Sequence, residues 1–298
     1  MKNRIGLALL VLSLLIPYSG LGGYIRHDAT ADAYEALGAQ PELQSVGWIG
    51  DKQGVTLLGS CVLVDSLHVL TAAHNLFEYK FQKHRLANGE EVEKVAEERM
   101  LPLGFLRVWF NQKNYEIVDW TCHPDYRLGT GPDLMLLKLN KSVKNTRPAQ
   151  WGNSPTLPKG AKTVWCGYSP LMDANFKRTF GTEIKRRAGE NRIDSSMAYL
   201  GWLNWGKPSA LLLADMDHPE FKSMSRTGSG EALPLEYLSS SGDSGGGVFF
   251  PDSNGWKLIG IIHANRIRRD GIPFQGLYGA EMTCTELAPF SHWLSGAL

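Results

Sequence analysis

The sequence predicts an all-β protein. Of its 298 residues 43% are hydrophobic and 20% are charged, which is typical of globular proteins, and it contains 32 glycines and nine tryptophans. Short runs rich in Val, Ile, Leu, Trp and Tyr recur from Val46 onward, with turn-forming residues between them. The polar stretch 141–159 divides these runs into two series, so we expect two β halves joined around residues 141–160.

The predicted strands are short apolar segments. Two other segments have patterns that indicate helices. Residues 89–100 have helical charge spacing, and residues 289–295 predict a short terminal helix. The basic segment 173–192 predicts a solvated loop. The first series is VGWI (46–49), TLLGSCVLV (56–64), HVLTAA (68–73), FLRVWF (105–110), YEIVDW (115–120) and LMLLKL (134–139), and the second is KTVWCGY (162–168), SALLLAD (209–215), GGVFF (246–250), WKLIGIIHA (256–264) and LYGAEMT (277–283).

The N-terminus has the layout of a signal peptide. Lys2 and Arg4 precede an apolar run from Ile5 to Ile16, which Pro17 and small residues close. A membrane anchor is the alternative, but a spanning helix needs roughly 20 apolar residues and this run is shorter. We therefore expect a leader at 1–22, cleavage near residues 20–23, and a secreted or periplasmic protein without a stable membrane anchor.

Charge and cysteine spacing exclude several kinds of site. The net charge of +1 provides no overall basic field for nucleic acid, so a peptide, protein or small-molecule substrate is expected. The four cysteines are widely spaced without a Cys-x-x-Cys pair, so we expect no metal site and no cofactor. In an exported protein they form structural disulfides, with three full pairings allowed, or remain buried thiols. They are Cys61, Cys122, Cys166 and Cys284.

Three motifs carry residues suited to nucleophilic catalysis. LTAAH ends at His74, GPDLMLLKL contains Asp133, and SGDSGGG is centred on Ser244. A serine hydroxyl is a poor nucleophile at neutral pH, so it needs an imidazole to take its proton and a carboxylate to hold that imidazole in the correct tautomer. Glycines around the serine allow the loop to turn backbone N–H groups toward an oxyanion, and Gly242 and Ser244 are the candidate donors. Each residue alone fits a structural role, but the combination predicts a catalytic site.

These motifs resemble the His, Asp and Ser boxes of trypsin-like serine proteases, which occur in the same chain order. The resemblance implies two antiparallel six-stranded β-barrels with the site in the cleft between them, and a short C-terminal helix. It also implies a serine endopeptidase that forms an acyl-enzyme, with His74 as general base, Asp133 orienting it and Ser244 as nucleophile. We assign residues 23–145 to the N-terminal half and residues 146–298 to the C-terminal half.

The resemblance implies further roles next to the nucleophile. Asp243 is expected to pair with a newly freed N-terminal amine, for which the sequence offers Tyr24 or Ile25. Leu238, six residues before the nucleophile, is expected at the base of the specificity pocket. An apolar base does not compensate for the desolvation of Lys or Arg, so small or apolar substrate side chains are expected. Asn75 follows His74 where the family often has a cysteine, so the usual bridge from Cys61 cannot form.

The strand at 260–265 resembles the family strand whose backbone pairs with the substrate. Its residues His263, Ala264 and Asn265, together with Ser241, are therefore candidate substrate contacts. A histidine at this strand recognises glutamate in some relatives, so His263 and the arginines beyond it are candidates to attract an acidic side chain. The register is shifted, however, which favours a solvated loop for those arginines: Arg266, Arg268 and Arg269.

Two other interpretations use the same residues. Gly242 to Gly246 also satisfies the G-x-S-x-G pattern of α/β-hydrolases, with Asp270 and His292 following in the order of that family, and this alternative implies a serine esterase or hydrolase. That elbow joins a strand to a helix, whereas the residues after Ser244 predict a β-hairpin. A binding protein on the trypsin-like fold, without proteolysis, is the second alternative, and the complete set of three motifs argues against it.

Overall fold

A computed structural model describes most of the chain, and in it the protein is mostly β, as predicted. Among the residues that the structure describes, no helix is long and apolar enough to cross a membrane. Residues 1–21 of the predicted leader, together with Arg268, Arg269 and Asp270, lie outside the described residues. The described residues are 22–85, 89, 91–152, 157–158, 160–180, 183–197, 210–253, 255–266 and 277–298.

Within the described residues, strands alternate with turns and a few short helices. The strands are β1 (Gly23–Ile25), β2 (Val46–Asp51), β3 (Leu57–Leu63), β4 (His68–Thr71), β5 (Phe77–Arg85), β6 (Glu91–Met100), β7 (Leu106–Phe110), β8 (Lys113–Cys122), β9 (Met135–Leu139), β10 (Lys162–Gly167), β11 (Leu171–Asp173), β12 (Thr179–Phe180), β13 (Arg187–Arg192), β14 (Ser195–Met197), β15 (Leu211–Asp215), β16 (Tyr237–Leu238), β17 (Gly247–Asp252), β18 (Gly255–Arg266) and β19 (Glu281–Glu286). The helices are α1 (Ala31–Gly38) and α2 (Ser291–Ala297).

The first half is a closed barrel of six strands in the order β2-β3-β4-β9-β8-β7. In β7 the buried residues Leu106, Val108 and Phe110 alternate with half-buried Arg107 and Trp109, because successive side chains of a strand point to opposite faces. The inward-facing set forms an apolar cluster inside the barrel. The six-stranded N-terminal barrel expected from the resemblance is confirmed.

The second half is a curled antiparallel sheet of seven strands, in the order β13-β10-β17-β18-β19-β15-β14. In the described residues its two edge strands do not pair with each other, so it forms a half-barrel where a closed six-stranded barrel was expected. Its inner face is apolar, with Trp165, Val248 and Ile262 almost completely buried in one cluster. The trypsin-like architecture is present, with this difference in closure and strand number.

A shared apolar cluster holds the two halves together. Val62 and Leu70 of the barrel pack in one cluster with Val164 and Ile261 of the second sheet. The predicted terminal helix is present as α2, and its Leu294 is buried in the same cluster. Side chains of the barrel and side chains of the second sheet can therefore be held at fixed positions relative to one another.

The N-terminal strand β1 pairs with strands of the second half. It lies parallel to β11 and antiparallel to β16 in a small sheet of order β12-β11-β1-β16. Tyr24 and Ile25 are completely buried in this sheet. Residues 23–25, which the sequence analysis grouped with the N-terminal half, therefore contact the C-terminal half.

Two segments differ from the sequence predictions. Residues 91–100 form β6 and pair with β5 in a two-stranded ribbon, where a helix was predicted. The charged residues of β6, whose spacing suggested a helix, instead form ion pairs with β5, such as Glu97 with Lys80. The basic segment 173–192 contains β13, in which Arg187 is 1% exposed and bonds to Glu35, so a solvated loop is wrong there.

Candidate active site

His74 and Asp133 are brought together by the barrel. His74 lies on a short 3-10 helix (Ala73–Leu76) that follows β4, and Asp133 lies two residues before β9, which pairs with β4. The His74 Nδ1 atom is 2.5 Å from Asp133 Oδ2, and the His74 backbone N–H donates to Asp133 Oδ1 at 2.9 Å. Both contacts come from one residue to the two oxygens of one carboxylate, so they fix the orientation of the imidazole.

Asp133 is an ionised carboxylate that accepts hydrogen bonds from two imidazoles. The second is His263, whose Nδ1 lies 2.8 Å from Asp133 Oδ2. Asp133 is 1% exposed, and burial alone raises the pKa of its carboxyl, but the neighbouring His74 and His263 lower the pKa well below its usual range. An ionised carboxylate only accepts, so each ring carries its proton on Nδ1. The Nε2 atom of His74 is then the basic nitrogen.

The loop that carries Ser244 has the backbone shape that the glycines predicted. Gly242 and Gly245 have φ values of +98° and +87°, which are in the region that favours glycine. Gly245 donates its N–H to the Ile262 carbonyl at 2.9 Å. Within the part of the chain that the structure describes, the N–H groups of Gly242 and Ser244 donate to no other protein group. These two amides are therefore available to an oxygen anion.

Ser244 lies beside the His74 helix. Its backbone carbonyl accepts hydrogen bonds from Ser60 N and from Asn75 Nδ2, both at 2.8 Å. Its hydroxyl is directed to the His263 carbonyl oxygen at 3.4 Å, and the described residues show no hydrogen bond from it to His74. Serine has three staggered χ1 positions, so the hydroxyl can swing, and such contacts commonly tighten only when substrate binds.

Asn75 is a structural residue of the site that the sequence analysis missed. The sequence analysis named it only as the residue that follows His74 where the family often has a cysteine. In the structure its amide also donates to Thr71 Oγ1 at 3.2 Å, and it is 8% exposed. Asn75 thus connects the histidine helix to the serine loop, and the only sequence signal for it is its place next to His74.

Asp243 is completely buried and has partners within the second half. Its carboxylate accepts hydrogen bonds from Tyr237 Oη at 2.6 Å, Ser169 Oγ at 2.8 Å and Ser240 N at 3.0 Å. Burial raises its pKa, against the lowering effect of these hydrogen bonds. Gly23 N donates to Ser169 Oγ at 2.9 Å, so the N-terminal strand reaches Asp243 through that hydroxyl.

The expected N-terminal residues of the mature chain have other surroundings in the structure. Tyr24 pairs with Leu238, and Ile25 pairs with Tyr237, inside the small sheet. Both are in mid-strand, with Gly23 before them in the same strand. An amine at either position has to leave this pairing in order to approach Asp243.

The candidate pocket residues divide into buried and accessible groups. Leu238 is completely buried in the apolar cluster of the second half, so it lies in the core and not on an accessible pocket surface. Ser241, Ala264 and Asn265 are half-buried near the nucleophile loop. Asn265 Nδ2 donates to the Ser239 carbonyl at 2.9 Å, which connects β18 to the segment leading to Ser244.

The cysteines are free thiols, one of the two alternatives that the sequence left open. Cys61, Cys166 and Cys284 are buried and Cys122 is half-buried. Burial raises the pKa of Cys122 and Cys166 to about 12, so these thiols are not reactive nucleophiles at neutral pH.

His74, Asp133 and His263 are also the group of described residues whose spacing fits a metal ion, with ligand atoms within 4.8 Å of one another. The separations of 2.5 and 2.8 Å between the ring nitrogens and the carboxylate are hydrogen-bond distances. Two ligands of a tetrahedral zinc ion are about 3.3 Å apart, given zinc-ligand distances near 2.0 Å. The arrangement observed is therefore a hydrogen-bonded network.

The α/β-hydrolase interpretation does not fit the fold. The serine loop leads into strand β17, where that interpretation needs a helix, and the sheets beside it are antiparallel. His292 lies in α2, at the end of the chain. The trypsin-like interpretation is the one that agrees with the surroundings of Ser244.

Comparison with known proteins agrees with this architecture. A search of curated proteins finds no match. Among solved structures, the chain is similar to mouse neuropsin, described as a serine protease expressed in the limbic system of mouse brain, with a TM-score of 0.52 and 19% identity, covering 87% of this chain and 96% of that one. A family profile described as a trypsin-like peptidase domain matches residues 59–261, which is more than half of the chain. The chain belongs to the trypsin-like peptidase family.

Proposed function

We propose that this protein is an exported serine endopeptidase that hydrolyses peptide bonds through an acyl-enzyme. The observation that carries the proposal is the ionised Asp133 bound to the His74 ring, next to a serine loop with two available amides. Export is proposed from the leader at 1–22 alone. No cofactor takes part in this chemistry.

In the proposed mechanism His74 Nε2 takes the proton of Ser244 as the hydroxyl oxygen attacks the substrate carbonyl carbon. Asp133 holds the Nδ1 proton and stabilises the imidazolium that forms. The histidine then donates its proton to the leaving amine, and the acyl-enzyme remains on Ser244. A water molecule, deprotonated by the same histidine, hydrolyses it.

The amides of Gly242 and Ser244 are the proposed oxyanion hole. Negative charge develops on the substrate oxygen in the tetrahedral intermediate, and fixed N–H groups stabilise it without reorganising. Removing one such donor typically lowers the rate by about 100- to 1,000-fold. The positive φ of Gly242 allows its amide to face this position.

We propose that substrates have a small or apolar side chain at the cleaved bond. The peptide would lie along β18, by strand addition. The hydrogen bond from Asn265 Nδ2 to the Ser239 carbonyl holds β18 beside the segment that leads to Ser244. Ser241 and Ala264 are half-buried candidate contacts in these two segments, and the candidate pocket-base position is Leu238, a buried apolar residue and not an acid.

The test is peptide hydrolysis by the mature protein and three variants. Ser244→Ala and His74→Ala should each lose at least about 1,000-fold in kcat, as triad residues do. Ser66→Ala removes an exposed serine in the β3–β4 turn and should retain full activity. Full activity in Ser244→Ala contradicts the proposal, and a folded wild-type protein that cleaves no peptide supports the binding-protein alternative.

Digestion of a peptide library by the same wild-type protein tests the specificity. Small and apolar residues should dominate on the acyl side of the cleaved bonds. A sharp preference for Lys or Arg would show that an acidic side chain reaches the substrate and that the proposed preference for small or apolar side chains is wrong.

A further inference from the structure

Ser60, in β3 of the barrel, contacts both residues of the proposed oxyanion hole. Its side-chain hydroxyl donates to the Gly242 carbonyl oxygen at 2.7 Å, and its backbone N–H donates to the Ser244 carbonyl oxygen at 2.8 Å. Ser60 is completely buried. The loop that carries Gly242 and Ser244 belongs to the second half of the chain. One buried residue of the barrel therefore binds this loop at two points.

A second partner fixes the direction of the Ser60 hydroxyl. The backbone N–H of Tyr168, the residue that follows β10, donates to Ser60 Oγ at 3.0 Å. A serine hydroxyl has one hydrogen to donate and two lone pairs that accept. Because the Tyr168 N–H can only donate, the hydroxyl accepts there and gives its own hydrogen to the Gly242 carbonyl. The Ser60 side chain thus joins two segments of the second half that are distant in the chain.

Holding these two carbonyls restricts the two amides that are proposed to bind the oxyanion. In Gly242 and in Ser244 the N–H and the C=O are joined through one Cα atom, so a fixed carbonyl limits the directions in which the N–H can point. The restraint matters most at Gly242, because its φ of +98° is one of several values that glycine adopts readily. The Ser60 backbone is itself anchored in the barrel, where Thr71 Oγ1 donates to its carbonyl at 2.7 Å.

We propose that Ser60 is a positioning residue of the oxyanion hole. Its hydroxyl holds the Gly242 carbonyl and its N–H holds the Ser244 carbonyl, so that the amides of these two residues stay directed at the substrate oxygen. The inference rests on the proposed function, since it assigns Ser60 a role in that reaction. The role concerns the negative charge that develops on the substrate and leaves proton transfer to His74.

Ser60→Ala tests the hydroxyl alone, because the backbone N–H remains. The two amides are displaced and not removed, so kcat should fall about 10- to 100-fold, less than the roughly 100- to 1,000-fold effect of deleting an oxyanion donor. KM should change little, since the amides act on charge that develops in the transition state. Peptide hydrolysis by the mature protein gives both constants.

A peptide aldehyde measures the oxyanion hole more directly. The Ser244 oxygen adds to the aldehyde carbon, His74 takes the hydroxyl proton, and the former carbonyl oxygen carries the negative charge that the two amides bind. The inhibition constant of the aldehyde should rise in Ser60→Ala by about the factor by which kcat falls. The peptide alcohol of the same sequence cannot form this adduct, and it should inhibit the wild type and Ser60→Ala equally.

Thr163→Val is the matched control for the loss of a buried hydroxyl. Thr163 Oγ1 donates to the Asn191 carbonyl at 2.9 Å and accepts the Trp165 indole N–H at 3.0 Å, so it has the same two kinds of partner as Ser60 Oγ, outside the nucleophile loop. The melting temperature of this variant should fall while kcat and the aldehyde inhibition constant stay at their wild-type values. If Ser60→Ala does not fold, Ser60→Cys, which nearly keeps the side-chain size but donates weakly, replaces it and should show the same two losses.

The outcomes separate this role from the function beneath it. Full kcat in Ser60→Ala, with a wild type whose hydrolysis depends on Ser244, overturns the positioning role alone. The role is also overturned by a loss of kcat without weaker inhibition by the aldehyde, or by equal losses of kcat in Ser60→Ala and Thr163→Val. A wild type that hydrolyses no peptide, or hydrolysis that is unchanged in Ser244→Ala, overturns the proposed function and this role with it.

Discussion

Tyr237 donates its phenolic hydrogen to the Asp243 carboxylate across 2.6 Å, and both residues are completely buried. Asp243 immediately precedes Ser244, so its position determines the shape of the nucleophile loop. The resemblance to trypsin-like proteases assigned this carboxylate to an N-terminal amine. In this chain hydroxyl and amide donors surround it, with Tyr237 as the shortest contact.

Tyr237→Phe should therefore disturb the nucleophile loop as well as the core. We expect a loss of about 1–3 kcal/mol in unfolding free energy, because the buried Asp243 carboxylate loses one of its hydrogen-bond donors. We also expect a lower kcat, because the amides of Gly242 and Ser244 shift with the loop. Denaturant unfolding and peptide hydrolysis measure the two effects.

Tyr278→Phe is the matched control. Tyr278 is a buried tyrosine whose hydroxyl bonds to His27, away from the nucleophile loop. This variant should lose stability but keep kcat. If Tyr237→Phe also keeps its full kcat, the phenol does not support the active loop.

Gly245→Ala should abolish activity. Gly245 has a φ of +87°, and an added Cβ would lie 2.2 Å from the Ser60 carbonyl oxygen, which cannot move freely. The loop can accept the methyl group only by displacing Ser244. Loss of hydrolysis together with a lower melting temperature is the expected result.

Gly255→Ala provides the comparison for backbone strain alone. Gly255 has a φ of +113° and open space around an added Cβ. Its cost should be about 1 kcal/mol from the unfavourable backbone conformation, with activity retained. Equal losses of hydrolysis and of stability in Gly245→Ala and Gly255→Ala would show that the close packing around Gly245 is unimportant.

Stability should fall as the pH rises from about 4 to about 7, through buried carboxyl groups of the second half. Burial, together with the charge of Asp215, raises the pKa of Asp194 and of Asp217 to about 7. An unfolded aspartate titrates near 3.9, so the folded chain binds more protons between these values. Folding is then favoured at the acidic end of this range, and the loss is complete above about pH 7.

Asp217→Asn should remove part of this pH dependence. Asp217 is 4% exposed, and its Oδ1 has no hydrogen-bond partner among the described residues. The variant should match the wild type near pH 5 and be more stable near pH 8, as measured by denaturant unfolding. Glu42→Gln, an exposed control, should show no such pattern. A constant difference between Asp217→Asn and wild type across pH would contradict the assignment.

Reducing agent should not change the stability. The four cysteines are free in the structure, so no disulfide contributes to it. We expect the same melting temperature with and without dithiothreitol, and four thiols per chain when protein unfolded without reductant is titrated. A count of two or fewer thiols, with a lower melting temperature after reduction, would show that a bridge forms.

Much of the site could be predicted from the sequence because its chemistry lies in local motifs. LTAAH and SGDSGGG specify the residue types and the glycine backbone around His74 and Ser244. The ring direction of His263 could not be predicted, since it depends on a one-residue register shift between β18 and β19. Strand alternation alone does not show where such a bulge occurs.

The helix predicted for residues 89–100 failed for a related reason. Glu and Lys at helical spacing also match charges on an adjacent strand, and the pairing of Lys83 with Glu91 across the β5–β6 ribbon uses them in that way. Whether the second sheet closes likewise depends on contacts between distant strands. Such contacts leave no pattern within one segment.

The most direct measurement of the central claim is the site of covalent labelling by a fluorophosphonate. Intact-mass analysis and peptide mapping of the folded wild-type protein should give one adduct, on Ser244, and the rate of labelling should fall at least about 100-fold in His74→Ala, since the serine loses its general base. An adduct on another residue, or an unchanged rate in His74→Ala, would contradict the account.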